Sequence, residues 1–361
     1  MAKKIMMLSV RSDFGGGPEH MLQLLKELNK SKETFLFYVA APTGEPYYKE
    51  FLKIVGASNF FLLPYRKFSF VTFFKLLSFI RKKDIDILHS HGKGAGIYSR
   101  LIKVFNPWIK VVHTFHGFHV GNYSAWQRNA YLLLESFLSL VTDKIINVSD
   151  GEQNTVLKST FITKNKCVVI PNGVKNLDRT EIRKENPCIK ICYLSRPEYQ
   201  KNVEEILSIK NAIVDNGILD NFVIDIYGDV DEQLKRKFLL DKHFEMKGCI
   251  ECVSSLFYSY DIFINTSRWE GMPLSIIEAM SSKTPVLASD VVGNNSLIKD
   301  GKNGYLYELY NVNDAALKIR DILTMKQETL LVIENAKTDV NNKYSVVKMS
   351  EDTQNVYCKL L

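Results

Sequence analysis

Hydrophobic residues in this chain fall into short runs separated by longer stretches of helical periodicity. Residues 5–10, 35–41, 59–63, 85–90, 110–114, 144–148 and 167–170 are apolar on both faces, as buried strands are. Between them apolar positions recur every three to four residues, for example over 19–29, 94–105 and 123–140. That alternation predicts a parallel sheet covered by helices on both sides. Pro171-Asn172-Gly173 breaks the pattern, and the polar stretch 175–187 reads as a linker. A second alternation follows, with strands at 189–195, 222–227, 261–265 and 285–288 and helices at 202–214, 232–240 and 273–281. Pro273 is expected to open the last of these helices, and the tail from Asp314 onward is helical in pattern. The expected fold class is α/β, with two Rossmann-like doubly wound domains, 1–172 and 173–361, facing a cleft. The last helix is a candidate to pack back on the first domain. Ligands of such sheets bind beyond the carboxyl ends of the strands.

Composition narrows the picture. A length of 361 residues suits two cores better than one. The absence of any run of about 18 apolar residues argues against a membrane span. Lys3-Lys4 and the apolar run after them resemble a signal peptide only briefly, because Arg11 ends the run, so a cytoplasmic protein is expected. The six cysteines are scattered rather than arranged as a disulfide framework. Cys249 and Cys252 form a Cys-x-x-Cys, but no second pair completes it and His243 stands alone, so no metal or redox role is expected. Charge is uneven: residues 1–179 hold 25 basic and 13 acidic side chains, leaving 22 and 27 in the remainder. The first half therefore faces something anionic. No basic-aromatic motif for nucleic acid appears. Segment 63–83 mixes Phe68, Phe70, Phe73, Phe74, Leu76, Leu77, Phe79 and Ile80 with six cations, a pattern shared by interfacial helices and by core helices with a solvated basic face.

Five constellations carry candidate chemistry. Arg11-Ser-Asp-Phe-Gly15-Gly16-Gly17-Pro18-Glu19 follows the first strand and opens a helix, where glycine backbone and free amides accept a phosphate. It lacks the spacing of the dinucleotide fingerprint, which weighs against a nicotinamide enzyme. His89-Ser-His91-Gly92 and Thr114-Phe115-His116-Gly117-Phe118-His119 each close a strand, and His116 can donate or accept a proton near neutral pH. Arg196 and Lys201, after the first strand of the second half, offer two fixed cations to a diphosphate. Trp269-Glu270-Gly271-Met272-Pro273-Leu274-Ser275, with Glu278 further on, combines two carboxylates with the amide end of a helix.

Glu270 and Glu278, with seven residues between them that begin Gly-Met-Pro-Leu-Ser, resemble the signature of the family 4 glycosyltransferases, which have the GT-B fold. Gly15-Gly16-Gly17-Pro18-Glu19, His89-Ser-His91-Gly92, Thr114-Phe115-His116-Gly117, Val148-Ser149, Ile170-Pro171-Asn172-Gly173-Val174, Arg196 with Lys201, and Asp300-Gly301-x-Asn303-Gly304 fall in that family's order. The resemblance covers essentially the whole chain. It implies transfer of a sugar from a nucleotide-sugar donor, UDP-hexose or UDP-N-acetylhexosamine with a GDP-sugar as the alternative, to a glycan or lipid-linked saccharide in surface polysaccharide synthesis. It implies retention of anomeric configuration and no metal or other cofactor, the leaving phosphate helping to deprotonate the acceptor. Arg196 and Lys201 would bind the diphosphate, Glu270 the transferred sugar and Glu278 the ribose. His116 would lie beside the sugar and Gly16 and Gly17 beside the phosphates. Gly271, Met272, Pro273 and Leu274 would complete the donor site. His91, His119 and Trp126 are acceptor-side candidates, and the basic first half would rest on an anionic membrane at its inner face. Two departures stand out: Ser195 where the family usually has glycine before the arginine, and Asn202 where Lys-Gly is common.

Two other classes compete. A metal-dependent transferase needs an Asp-x-Asp at a strand end, but Asp84-Ile-Asp86 precedes its strand and Asp229-Val-Asp231 belongs to the wrong domain pattern. A non-catalytic sugar-nucleotide-binding subunit of an assembly would keep the donor residues and show no turnover.

Overall fold

The structure, a computed structural model, describes residues 2–30, 34–119, 121, 123–175, 188–250 and 256–361. Most of the expected linker, Cys252 and part of the 119–126 loop lie outside the described residues. The chain divides into two compact units, one of residues 1–173 with 346–361 and one of residues 174–345.

The first unit runs β1 Lys3–Ser9, α1 Gly16–Leu28, β2 Phe35–Ala41, α2 Tyr47–Val55, β3 Phe60–Leu62, α3 Phe70–Lys83, β4 Ile87–His91, α4 Gly92–Phe105, β5 Lys110–Thr114, α5 Ala125–Leu140, β6 Lys144–Asn147, α6 Asp150–Ser159 and β7 Cys167–Val169. Its seven strands pair in the order β3-β2-β1-β4-β5-β6-β7, all parallel. β1 shows why its run is apolar throughout. Ile5 and Met7 enter one core with Leu24, Leu25 and Phe51, whereas Met6 and Leu8 enter the opposite core with Phe73, Leu76 and Ile80. Period-two alternation puts neighbours on opposite faces, and both faces are covered. α4 and α5 are clamped by a buried ion pair, Arg100 Nη1 to Glu135 Oε2 at 2.5 Å.

The second unit runs β8 Ile189–Ser195, α7 Glu204–Asp215, β9 Phe222–Gly228, α8 Glu232–Leu240, β10 Phe244–Gly248, β11 Ile262–Asn265, α9 Leu274–Ser281, β12 Val286–Ser289, α10 Asn294–Leu297, β13 Tyr305–Tyr307, α11 Val312–Thr324 and α12 Lys326–Lys343. The order is β10-β9-β8-β11-β12-β13, again parallel. Ile191, Tyr193, Ile224, Ile226, Ile262 and Ile264 pack on α7 and α11. α13 Val346–Leu360 belongs to the first unit, where Met349 and Tyr357 join the core beside α1.

Three expectations change. Pro273 does not begin α9; it is the extended residue just before it (φ −72°, ψ 119°), and Leu274 is the first helical position. Segment 63–83 is helical only over Phe70–Lys83, with Phe73, Leu76, Leu77 and Ile80 in the core while Phe70 and Phe74 face solvent. The strand expected at 85–90 is shifted to Ile87–His91, so it runs on through His91. Among the described residues no helix is long and apolar enough to cross a membrane.

Candidate active site

Both sheets reverse direction next to their first strand. In the second unit β8 leads to β9 and β10 on one side while β11 lies on the other, so the crevice beyond β8 and β11 is the topological switch point. The loops leaving those two strands carry Arg196, Lys201 and Glu270. Lys201 Nζ lies 2.6 Å from Glu270 Oε1, and both side chains are largely buried. Ser267 Oγ donates to the same oxygen at 2.7 Å, and Gln200 Nε2 donates to Glu270 Oε2 at 3.0 Å. Burial pushes the Glu270 carboxyl up, but the charge and hydrogen bond of Lys201, the Ser267 hydroxyl and the charge of Arg196 outweigh it, so its pKa is lowered. Glu270 is thus held ionised, with its oxygens fixed in direction.

The scaffold behind this pair is backbone-directed. Thr266 Oγ1 reaches the carbonyls of Lys201 and Asn202 at 3.0 Å each, and Tyr193 Oη donates to the Lys201 carbonyl at 3.1 Å. Glu270 N–H donates to Val292 O at 2.9 Å; a Cβ on Gly293, at φ +95°, would come within 2.4 Å of the Glu270 carbonyl oxygen. Only glycine allows that approach. Arg196 is half-exposed, 3.4 Å from Glu198 Oε2. Arg268 stacks over Tyr199 at 4.0 Å and adds a third cation to this edge. The amides of Leu274 and Ser275 precede the first bond of α9, from Ile276 N to Pro273 O. Gly271 and Met272 are buried just before them, and Glu278 is partly buried on α9.

The two departures from the family pattern have structural accounts. Asn202 sits at φ +51°, ψ 46°, a left-handed position that glycine fills freely and asparagine tolerates best among other residues. Its side-chain amide donates to Glu205, which fixes the turn. Ser195 ends β8 in extended backbone and its hydroxyl donates to Asp229 O at 3.0 Å. The close approach there is supplied by Gly228 instead, at φ +97°, where a Cβ would lie 2.1 Å from Ser195 O.

In the first unit the switch point lies between β1 and β4. α1 starts at Gly16, and a Cβ on Gly17 would touch the His116 ring at 3.7 Å. His91 Nδ1 lies 3.0 Å from His116 Nε2, and the two rings stack. His20, from α1, sits edge-on to His116 with ring centroids 4.5 Å apart. Burial holds His20 down at about 4, Asn172 only partly offsetting it, and burial first and neighbouring histidines second hold His89, His91 and His116 well below the ordinary value. His116 is therefore a neutral imidazole, able to donate or accept one hydrogen bond. It occupies a left-handed conformation, φ +57°. Glu152 holds that turn: its Oε1 accepts from Gly117 N and Phe118 N at 2.6 and 2.8 Å, and its Oε2 from Val148 N at 2.8 Å.

Of the expected site residues, Lys201 meets Glu270, and His91 meets His116 beside Gly17. His89 is a structural residue, locked between Tyr357 Oη at 2.6 Å and Thr114 Oγ1 at 2.8 Å. Trp126 is 78% exposed on the first turn of α5, and the His119 carbonyl accepts from Lys93 Nζ at 3.4 Å. His20, Glu152, Ser267 and Thr266 were not picked out in the sequence. For Glu152 a signal existed: Ser149-x-x-Glu152 has the form of a capping box, but its carboxylate reaches past Ser149 to Val148 and the His116 turn.

Comparison with known proteins gives the family. The family model described as Glycosyltransferase Family 4 matches residues 14–176, and that described as Glycosyl transferases group 1 matches residues 174–339. The chain is a family 4 glycosyltransferase. An Escherichia coli UDP-Gal:alpha-D-GlcNAc-diphosphoundecaprenol alpha-1,3-galactosyltransferase is 28% identical to it over 317 residues, 81% of this chain and 79% of the relative. The O-antigen biosynthesis glycosyltransferase WbnH of Escherichia coli is 25% identical, covering 85% and 86%. Among solved structures, Anabaena HepE with UDP and glucose superposes with a TM-score of 0.81 at 16% identity, covering 99% of this chain and 100% of that one. The fold of this glycosyltransferase is accordingly GT-B, with one Rossmann-like sheet per unit.

Proposed function

We propose that this glycosyltransferase moves a hexose or N-acetylhexosamine from a UDP-sugar to a hydroxyl of a lipid-linked saccharide or glycan, with retention of configuration and without a metal, at the inner face of the cell membrane in surface polysaccharide synthesis. The buried Lys201–Glu270 pair, with Arg196 on the same sheet edge, carries the reading. Arg196 and Lys201 hold the diphosphate, and fixed cations there stabilise the charge that grows on the leaving nucleoside diphosphate, as a bound metal would elsewhere. The amide end of α9 and residues Gly271, Met272, Pro273 and Leu274 complete the anion site. Glu270, ionised and hydrogen-bonded by Lys201, Ser267 and Gln200, faces the sugar hydroxyls, and Glu278 the ribose. In the first unit neutral His116 is assigned to the sugar, Gly16 and Gly17 to the phosphates, and His91, His119 and Trp126 to the acceptor. The leaving phosphate takes the acceptor proton, so no carboxylate nucleophile is required, in contrast to retaining glycosidases.

The relatives support the substrate classes. The Escherichia coli galactosyltransferase is named for UDP-Gal and a diphosphoundecaprenol-linked GlcNAc, a Staphylococcus aureus relative for N-acetylglucosamine transfer to poly(ribitol-phosphate), and HepE holds UDP and glucose. The test is calorimetric titration of UDP-, GDP- and dTDP-sugars, followed by transfer assays with the binding donor in excess chelator. UDP-sugar binding and chelator-resistant transfer are expected; preference for another base, or activity abolished by chelator, contradicts the assignment.

The membrane part rests on the first unit's surface. Phe70, Val71 and Phe74 of α3, Phe105 of α4 and Trp108 are exposed, as are Leu133, Leu134, Phe137 and Leu140 on α5. With the basic excess of this half they suit an anionic bilayer. The enzyme is expected to co-sediment with phosphatidylglycerol vesicles, less so as salt rises. Equal binding to neutral vesicles, or none, argues against it.

A further inference from the structure

Three imidazoles converge in the first unit from elements far apart in sequence: His20 on α1, His91 at the end of β4 and His116 just past β5. One ring nitrogen from each lies within 4.8 Å of the others. His20 and His91 are buried and His116 half-buried.

The nitrogens are disposed as ligands would be. His20 Nδ1 donates to Asn172 Oδ1 at 2.9 Å, which leaves the lone pair on Nε2. Metal-bound histidines are oriented in this way, the second nitrogen giving its proton to a carbonyl or carboxylate. His91 Nδ1 and His116 Nε2 are 3.0 Å apart, whereas two imidazole nitrogens sharing a tetrahedral zinc at about 2.0–2.1 Å stand about 3.3 Å apart. His91 Nε2 is buried with no hydrogen-bond partner among the described residues, so this ring is not fully satisfied by those neighbours. His89, 4.2 Å behind His91, uses both nitrogens elsewhere and is excluded from the set. Neutral imidazoles are the form that binds metal, and burial keeps all three rings neutral. Three nitrogens without carboxylate or thiolate suit a borderline ion such as zinc, cobalt, nickel or copper and disfavour magnesium and calcium.

We propose that His20, His91 and His116 form a three-nitrogen site for a borderline divalent metal ion, zinc foremost, and that filling it inhibits sugar transfer by engaging His116. The site is inhibitory rather than catalytic, since the proposed leaving-group stabilisation belongs to Arg196 and Lys201. The inhibition rests on the role given to His116 above; the binding does not.

The experiment uses the enzyme with the exposed Cys249 and Cys358, and Cys252 of the Cys-x-x-Cys, changed to serine to limit competition from thiols. Titration with zinc sulfate followed by calorimetry should show one ion per chain, and His20→Gln should weaken binding by about tenfold or more. Zinc X-ray absorption of the protein with His20 intact should show only nitrogen and oxygen neighbours with imidazole scattering, which keeps the test open if His20→Gln fails to fold. Sulfur neighbours, several weak ions per chain, or affinity unchanged in a folded His20→Gln enzyme overturn the site. Zinc should slow transfer by the parent enzyme while His20→Gln, active in chelator, resists it. Tight binding without inhibition retains the site and overturns the link to His116; absent binding removes the site and leaves the donor assignment to be judged by its own titration.

Discussion

Lys201→Ala is expected to lower turnover by about a hundredfold or more, a loss of roughly 2.7 kcal/mol of transition-state stabilisation. The ammonium is fixed by Glu270 at 2.6 Å and by the Thr266 and Tyr193 bonds to its own carbonyl, so in the proposed role it would meet the leaving phosphate without reorganising. The variant also leaves the Glu270 carboxylate buried without its counter-charge. Breaking a buried pair by removing one partner costs about 3–5 kcal/mol, and a lowered melting temperature should accompany the lost rate. The comparison therefore needs far-ultraviolet circular dichroism to establish folding and initial rates at saturating donor. Glu270→Ala should match it in rate. Near-normal kcat in a folded Lys201→Ala enzyme removes the proposed role for this side chain.

Acidification is expected to unfold the first unit ahead of the second. His20, His89, His91 and His113 are buried there and His116 is half-buried, and desolvation lowers the pKa of each, that of His20 to about 4. The sign follows from proton counting. Below the ordinary value of 6.5 the unfolded chain takes up protons that the folded unit refuses, so stability is complete above pH 6.5 and falls as the pH drops toward 4. Each such histidine contributes at most about 1.4 kcal/mol per pH unit. Five acting together reach several kcal/mol per unit, against a total stability on the order of 5–15 kcal/mol. Differential scanning calorimetry from pH 7.5 to 5 should show the lower transition moving down by many degrees. A melting profile independent of pH over that range contradicts the assignment.

The strands were readable because burial on both faces leaves an unbroken apolar run, as in β1, where all of Ile5, Met6, Met7 and Leu8 are sequestered. The strands that escaped notice are sheet edges. β10, Phe-Glu-Met-Lys-Gly, has only Phe244 buried, and β13 is three residues long. α6 likewise gives a weak pattern, with Val156 its one buried apolar side chain. At the site, residues announced by local chemistry could be found: the glycines after β1, the cations after β8, the carboxylate after β11. What could not be found is convergence. His20 reads as one more position on an amphipathic helix, and nothing local says that it lies against rings more than seventy residues away. Asn202 was visible as a departure, but its meaning needed the backbone angle, which makes asparagine a near-equivalent of glycine there.

The placement of α13 has a consequence for biosynthesis. Residues 174–345 interrupt a unit whose final piece is Val346–Leu360, and His89 Nδ1 is held at 2.6 Å by a hydroxyl 268 residues downstream. As the nascent chain leaves the ribosome, the interrupting segment can close on itself while its host still lacks Met349 and Tyr357. The host is completed only once Val346–Leu360 has been made, so deleting that helix would forfeit the packing it gives to the core around β1.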